Sequence, residues 1–200
     1  MPHQNNFDDY LIQHGVTRRA FVKLCSSLAG LLAMPAGAIP ALAEQLRQAS
    51  RPVVIWLSFQ ECTGCTESFS RSHSMTLEDL IFNYLSLDYH HTLQAAAGEA
   101  AEAARRNSMQ QHYGKYLLIV EGSIPLGYSG ACSTIAGRTN LDLLQECTAG
   151  AAAVMAIGSC AVFSGLPGAE PNPTGATGVA DLMQQRMIAN RPLVNVPGCP

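Results

Sequence analysis

Charged residues make up only 14% of this 200-residue chain, aromatic residues 6%, and there is a single tryptophan. Twelve basic residues stand against 15 acidic ones for a net charge of −3, and the basic ones are scattered. That balance leaves no electrostatic footprint for nucleic acid. The low net charge and 48% apolar content also exclude a disordered chain, which is poor in apolar residues and rich in net charge. Seven cysteines are too few for a disulfide scaffold, and their odd number leaves at least one thiol unpaired. Neither an internal repeat nor a low-complexity linker interrupts the chain. What remains is apolar surface sufficient for one packed domain, and cysteines whose use must be read from their spacing.

Residues 1–43 read as an address. Thr17-Arg18-Arg19-Ala20-Phe21-Val22-Lys23 places an arginine pair before an apolar run, residues 24–43, that ends in Ala41-Leu42-Ala43. Charged region, apolar region and small-residue cleavage site follow in the order of a secretory signal. The twin arginine narrows this to the Tat route, which exports folded proteins. Pro35, Pro40 and the glycines of the run argue against a stable membrane span. A periplasmic protein is expected, and Cys25 leaves with the signal.

Residues 44–200 read as alternating strands and helices. Pro52–Ser58, Tyr116–Val120, Ala152–Ile157 and Leu193–Val196 are short apolar runs of the kind buried in parallel sheets. Helical patterns cover Leu77–Leu85, Leu93–Arg106, Asn140–Cys147 and Val179–Ile188, while the proline- and glycine-rich stretch Leu166–Gly178 reads as an irregular loop. Apolar strands separated by helices predict an α/β fold: a flavodoxin-like, doubly wound parallel sheet with helices on both faces.

The chemistry lies where these strands end. Cys62-Thr63-Gly64-Cys65 follows the first, Cys160 the third, and Cys199 the last. Loops beyond the carboxyl ends of a parallel sheet converge on one edge, where ligands bind, so four thiols can meet there. Three uses fit: an iron–sulfur cluster, structural zinc, or a thioredoxin-like dithiol at Cys62/Cys65. Structural zinc usually draws on two short knuckles, and the second is missing. Export in folded form favours a cofactor inserted beforehand. Cys147 reads as a small core residue and Cys132 as an inert loop thiol. Glu67 suits a helix start, His90 and His91 read as structural or solvated, and Glu121 ends a strand on the ligand edge.

Glu61-Cys62-Thr63-Gly64-Cys65-Thr66-Glu67-Ser68, Glu121-Gly122-Ser123-Ile124-Pro125, Gly158-Ser159-Cys160, Asn172-Pro173-Thr174-Gly175-Ala176 and Pro197-Gly198-Cys199-Pro200 together resemble the small subunit of nickel-iron hydrogenases. The signal is similar to that of the exported, membrane-associated uptake members. The resemblance implies that Cys62, Cys65, Cys160 and Cys199 hold the proximal 4Fe-4S cluster and pass electrons from a nickel-iron centre on the large subunit. It also implies a proton relay at Glu61 and Thr63, and a membrane cytochrome b or quinone-reactive partner. Oxygen-tolerant members carry two further cysteines, one at the position of Gly64 and one expected near Ser133. Family small subunits continue past the Gly-Cys-Pro motif into a region holding a 3Fe-4S and a second 4Fe-4S cluster, and this sequence ends at Pro200, before that domain. Two other readings stay open: the small iron-sulfur subunit of an NADH:quinone oxidoreductase, which normally has adjacent cysteines in place of Cys62-x-x-Cys65, and a zinc-bound interaction domain.

Overall fold

A computed structural model describes Arg19 and residues 51–200. The chain divides into two units, Met1–Ser50 and Arg51–Pro200. Apart from Arg19, the expected export signal, residues 1–43, lies outside the described residues. Among the described residues no helix is long and apolar enough to cross a membrane.

The second unit is built on β1 (Val53–Ser58), β2 (Ser86–His90), β3 (Tyr116–Glu121), β4 (Ala151–Ile157) and β5 (Leu193–Val196). All neighbours pair in parallel, in the order β2-β1-β3-β4-β5. This is the flavodoxin order, whose switch point lies between β1 and β3. Side chains alternate across the sheet. Ile55, Leu57, Leu118, Val120, Val154 and Ala156 enter the main core. Val54, Trp56 and Ile119 form a second cluster on the other face, with Phe69, Leu85 and Met155 packed against it.

The helices are α1 (Gly64–Ser70), α2 (Gly98–Gln111), α3 (Asn140–Ala149), α4 (Gly158–Phe163) and α5 (Val179–Gln184). Thr139 caps α3 by accepting the Asp142 amide at 3.1 Å. Several boundaries differ from the sequence reading, among them α2, which runs on to Gln111, and α3, which ends at Ala149. The Leu77–Leu85 segment is an α-turn, Leu77–Asp79, that widens into a π-helix, Leu80–Tyr84, closed by the Leu85 amide on the Leu80 carbonyl. Helix α2 starts at Gly98 rather than Leu93, because the Thr92 and Leu93 amides donate to Nδ1 of His90 and commit that backbone to a turn. Helix α5 ends at Gln184 instead of Ile188, where Arg186 turns left-handed at φ 58°. The Leu166–Gly178 loop carries a 3-10 turn, Leu166–Gly168, and a two-residue strand, Ala176–Thr177, paired with Ile124–Pro125.

Candidate functional site

Three strand ends bring the cysteines to one edge. Cys62 follows β1, and Cys65 lies in the first turn of α1, whose start is forced by Thr63 in a left-handed conformation at φ 64°. A β-branched residue there is strained, as chain segments at functional sites often are. Cys160 sits in α4, directly after β4, and Cys199 lies just beyond β5. The Ser159 amide donates to the Gly198 carbonyl at 2.7 Å, tying the last two loops together. A β-carbon built on Gly64 would lie 3.1 Å from Cys62 Sγ and 3.5 Å from Pro200. These contacts close the ring of loops.

The thiols share one electrostatic environment. Burial, the Glu121 carboxylate and the other three thiols push Cys65 up to about 11. Burial also raises Cys160, against a backbone hydrogen bond from Leu166 that lowers it, with Cys199, Cys62 and Glu61 adding to the rise. Cys65 and Cys160 are half-buried, while Cys62 and Cys199 are exposed. Among the described residues, no three His, Cys, Asp or Glu side chains stand close enough to share one ion.

Gly158 carries the tightest steric constraint against a site thiol. It holds φ 80°, and a β-carbon on it would come within 2.3 Å of Cys65 Sγ. Gly158→Ala therefore combines backbone strain of about 1 kcal/mol with displacement of Cys65. Its expected outcome is a lower thermal midpoint together with loss of metal binding; a variant that keeps both would show that the loop relaxes freely.

The other sequence motifs brace this edge. The Phe59 amide donates to the Glu121 carbonyl at 2.9 Å, and Gln60 pairs with Ser123 as an isolated bridge. Gly122, at φ 88°, is required there because a β-carbon would meet the Gln60 carbonyl and Glu61 at 2.9 Å. Gln60 Nε2 donates to Thr174 Oγ1 at 3.0 Å, and Asn172 Oδ1 accepts the Ala176 amide at 2.7 Å. Glu61 accepts the Thr63 hydroxyl at 3.2 Å through Oε1, whereas its buried Oε2 has no partner. Burial first, then the charge of Glu121, raise the Glu61 carboxyl above its ordinary value, and the Thr63 hydrogen bond offsets only part of this.

The other side chains singled out in the sequence divide between core and surface. Glu67 stands in the first turn of α1 and pairs on the surface with Arg71 at 2.6 Å. His90 is buried, and His91 Nδ1 accepts the Ser58 amide at 2.8 Å, so both are structural rather than solvated. Cys147 is fully buried, as expected of a core residue, although it also accepts a hydrogen bond from Arg105 at 3.1 Å. Cys132 is exposed and its thiol faces the Gly127 carbonyl at 3.8 Å. Gly165 packs directly on Cys160: a β-carbon on it would lie 2.7 Å from Cys160 Sγ. Two elements that place ligands, α1 and α4, escaped the sequence reading. Their only signal was a glycine opening each helix, which looks like loop.

A parallel sheet with cysteines gathered at its carboxyl edge defines the class, a flavodoxin-like α/β domain with a candidate cofactor site between strand-end loops. The chain belongs to the family described as "NADH ubiquinone oxidoreductase, 20 Kd subunit", which matches residues 62–200, and within it to the small subunits of [NiFe] hydrogenases, as an N-terminal portion. It is 41% identical to the Hydrogenase-2 small chain of Escherichia coli (strain K12) over 194 residues, 96% of this chain and 51% of that protein. It is also 41% identical to the quinone-reactive Ni/Fe-hydrogenase small chain of Wolinella succinogenes over 192 residues, covering 95% and 52% of the two chains. The reduced, active Ni-Fe-Se hydrogenase of Desulfomicrobium baculatum superposes with a TM-score of 0.71 at 32% identity, covering 76% of this chain and 57% of that one. The chain spans about half the length of the curated relatives it matches.

Proposed function

We propose that this domain is the electron-transfer part of a nickel-iron hydrogenase small subunit, and that Cys62, Cys65, Cys160 and Cys199 hold its proximal 4Fe-4S cluster. The observation that carries the reading is the convergence of these four thiols from three strand ends onto one edge. The likeness to hydrogenase small chains supports a cluster over a single zinc ion. Zinc would draw its sulfurs to about 2.3 Å from one centre, whereas each thiolate of a four-iron cluster takes its own iron. When bound, the cluster supplies one-electron transfer, which no side chain here provides. The protein contributes fixed thiolates and backbone amides in tight turns, which tune a cluster through hydrogen bonds to sulfur.

The electron donor in this reading is the nickel-iron centre of a large subunit, and the acceptor side is a membrane cytochrome b or quinone-reactive subunit. The protein is exported folded to the periplasm by the twin-arginine signal and held at the cytoplasmic membrane through the complex. A 3Fe-4S and a second 4Fe-4S cluster belong to sequence beyond Pro200. Anaerobic purification followed by iron and acid-labile sulfide analysis tests the site, with the two expected in equal amounts and a brown absorbance. A colourless, iron-free protein carrying zinc would overturn it. Co-purification of a nickel-containing partner separates this reading from that of an NADH:quinone oxidoreductase subunit, which shares the family's description.

Glu61 and Thr63 form the proton relay of the same proposal. The buried, unpartnered Oε2 of Glu61 is free to take a proton or a water, while Thr63 holds Oε1. Glu61→Gln is expected to slow hydrogen/deuterium exchange by about 10²-fold or more, the range for a general acid–base group, at unchanged iron content. Unchanged exchange would remove Glu61 from the route.

A further inference from the structure

Behind the thiols, at the switch point between β1 and β3, lies one carboxylate that the electron route does not use. Glu121 is 1% exposed. Its Oε2 accepts Trp56 Nε1–H at 3.1 Å, the Ser58 hydroxyl at 3.3 Å and the Thr66 hydroxyl at 2.5 Å, and its Oε1 accepts the Thr66 amide at 3.0 Å. Thr66 is the residue after Cys65. All four donors are neutral, so the carboxylate is solvated by hydrogen bonds without a salt bridge from any of them. Burying a charge this way is expensive, and a glutamine would satisfy most of the same donors without that cost. A charge retained against this cost beside a ligand cysteine points to an electrostatic use.

The chain of donors continues to His90. Nδ1 of His90 accepts the Thr92 and Leu93 amides at 3.1 and 3.3 Å, so the ring proton sits on Nε2. Nε2 faces Thr66 Oγ1 at 3.5 Å, the outer limit of a hydrogen bond. Thr66 spends its own proton on Glu121, which fixes the direction: His90 to Thr66 to Glu121. The His90 ring also rests on Trp56, with centroids 4.8 Å apart, and Trp56 is itself a donor to Glu121.

We propose that Glu121 is a built-in negative charge that holds the potential of the iron–sulfur site low, and that His90 is its positioning residue, acting through Thr66. The inference rests on the reading that the four cysteines hold such a cluster. A fixed negative charge beside a redox centre disfavours the added electron, and net charge and hydrogen bonding are the levers that set cluster potentials. His90 orients the Thr66 hydroxyl, and cooperative donors hold the carboxylate in one pose.

The test is a redox titration followed by electron paramagnetic resonance on the full-length small subunit assembled with its large subunit, reading the signal that Cys65→Ser abolishes. Glu121→Gln is expected to shift that signal to higher potential at unchanged iron and sulfide. His90→Phe, which keeps a ring on Trp56 but has no donor, is expected to shift it with Glu121 present and not in the Glu121→Gln background. His90→Gln, which keeps a donor, is expected to return it toward the original value. If His90→Phe does not fold, Thr66→Val takes its place in the same cycle. An unmoved potential in Glu121→Gln, or equal His90→Phe shifts in both backgrounds, would overturn the proposal while leaving the cluster reading intact. Absence of iron from the unaltered protein would instead defeat the cluster reading.

Discussion

Cys65→Ser is expected to strip the iron from this domain and stop hydrogen-dependent electron transfer. Losing an outer-shell partner of a metal site costs about 10–100-fold in affinity or activity, and losing a ligand thiolate exceeds that. Among the four site thiols Cys65 is the most closely surrounded: Glu121 and the three other cysteines all act on it, and Gly158 approaches it without room for a β-carbon. Burial raises its pKa to about 11, so in the empty site it is a neutral thiol, and metal must displace its proton. Serine offers a harder, less acidic oxygen at nearly the same place, which isolates the chemistry from packing. The measurement is iron and sulfide per chain together with hydrogen-dependent dye reduction, with Cys132→Ser as the control. Cys132 is exposed, bonds only weakly to the Gly127 carbonyl and is expected to leave both values unchanged. Equal losses in the two variants would mean that general thiol chemistry, and not this constellation, binds the metal.

The cysteine constellation was legible because parallel sheets advertise themselves twice. Their strands are short apolar runs, and their ligand loops all follow the carboxyl ends, so Cys62, Cys65, Cys160 and Cys199 could be gathered without knowing a single distance. Of strand β2 only the end was legible, at Leu87-Asp88-Tyr89 before the two histidines. Ser86-Leu87-Asp88-Tyr89-His90 is half polar, and its polar groups are satisfied in pairs: Ser86 and Ser108 donate to Asp88 at 2.6 Å, and Tyr89 donates to Glu102 at 2.7 Å. The Ala-rich stretch before α2 misled in the opposite direction. Alanine favours helix, but the Thr92 and Leu93 amides just before those alanines are taken by His90, a contact visible only once β2 is in the sheet. His90 itself looked dispensable because a buried histidine has no pattern. Burial, opposed by Glu121 and aided by His91, lowers it to about 4, which keeps it a neutral ring at physiological pH.

The same limit hid the buried ion cluster on the far side of the sheet, and the largest stability effect is expected there. Arg105, in α2, is fully buried. It pairs with Glu102 at 2.8 Å and Glu146 at 3.1 Å, and its remaining NH1 group contacts Cys147 Sγ at 3.1 Å and Met109 Sδ at 3.2 Å. Tyr89 donates to the other oxygen of Glu102, and Arg138 also pairs with Glu146. Arg105→Met would leave Glu102 buried with only Tyr89 as partner, at a cost of about 3–5 kcal/mol, which for a domain of this size is roughly 6–20 °C in Tm. Burial raises the Glu102 and Glu146 carboxyls, but their arginine hydrogen bonds and charges outweigh it, so both lie below the ordinary value of 4.5. A depressed folded-state pKa contributes stability that is present above the unfolded value and is lost as pH falls through the folded one. The gap between wild type and Arg105→Met is therefore expected to be full at pH 7 and to close on acidification below about pH 4.5. Glu102→Gln in the Arg105→Met background is expected to restore part of the loss, because it removes the uncompensated charge while keeping an acceptor for Tyr89. Urea unfolding of the three proteins at two pH values reads both effects, and a gap independent of pH would assign the loss to packing of the arginine stem instead of its charge.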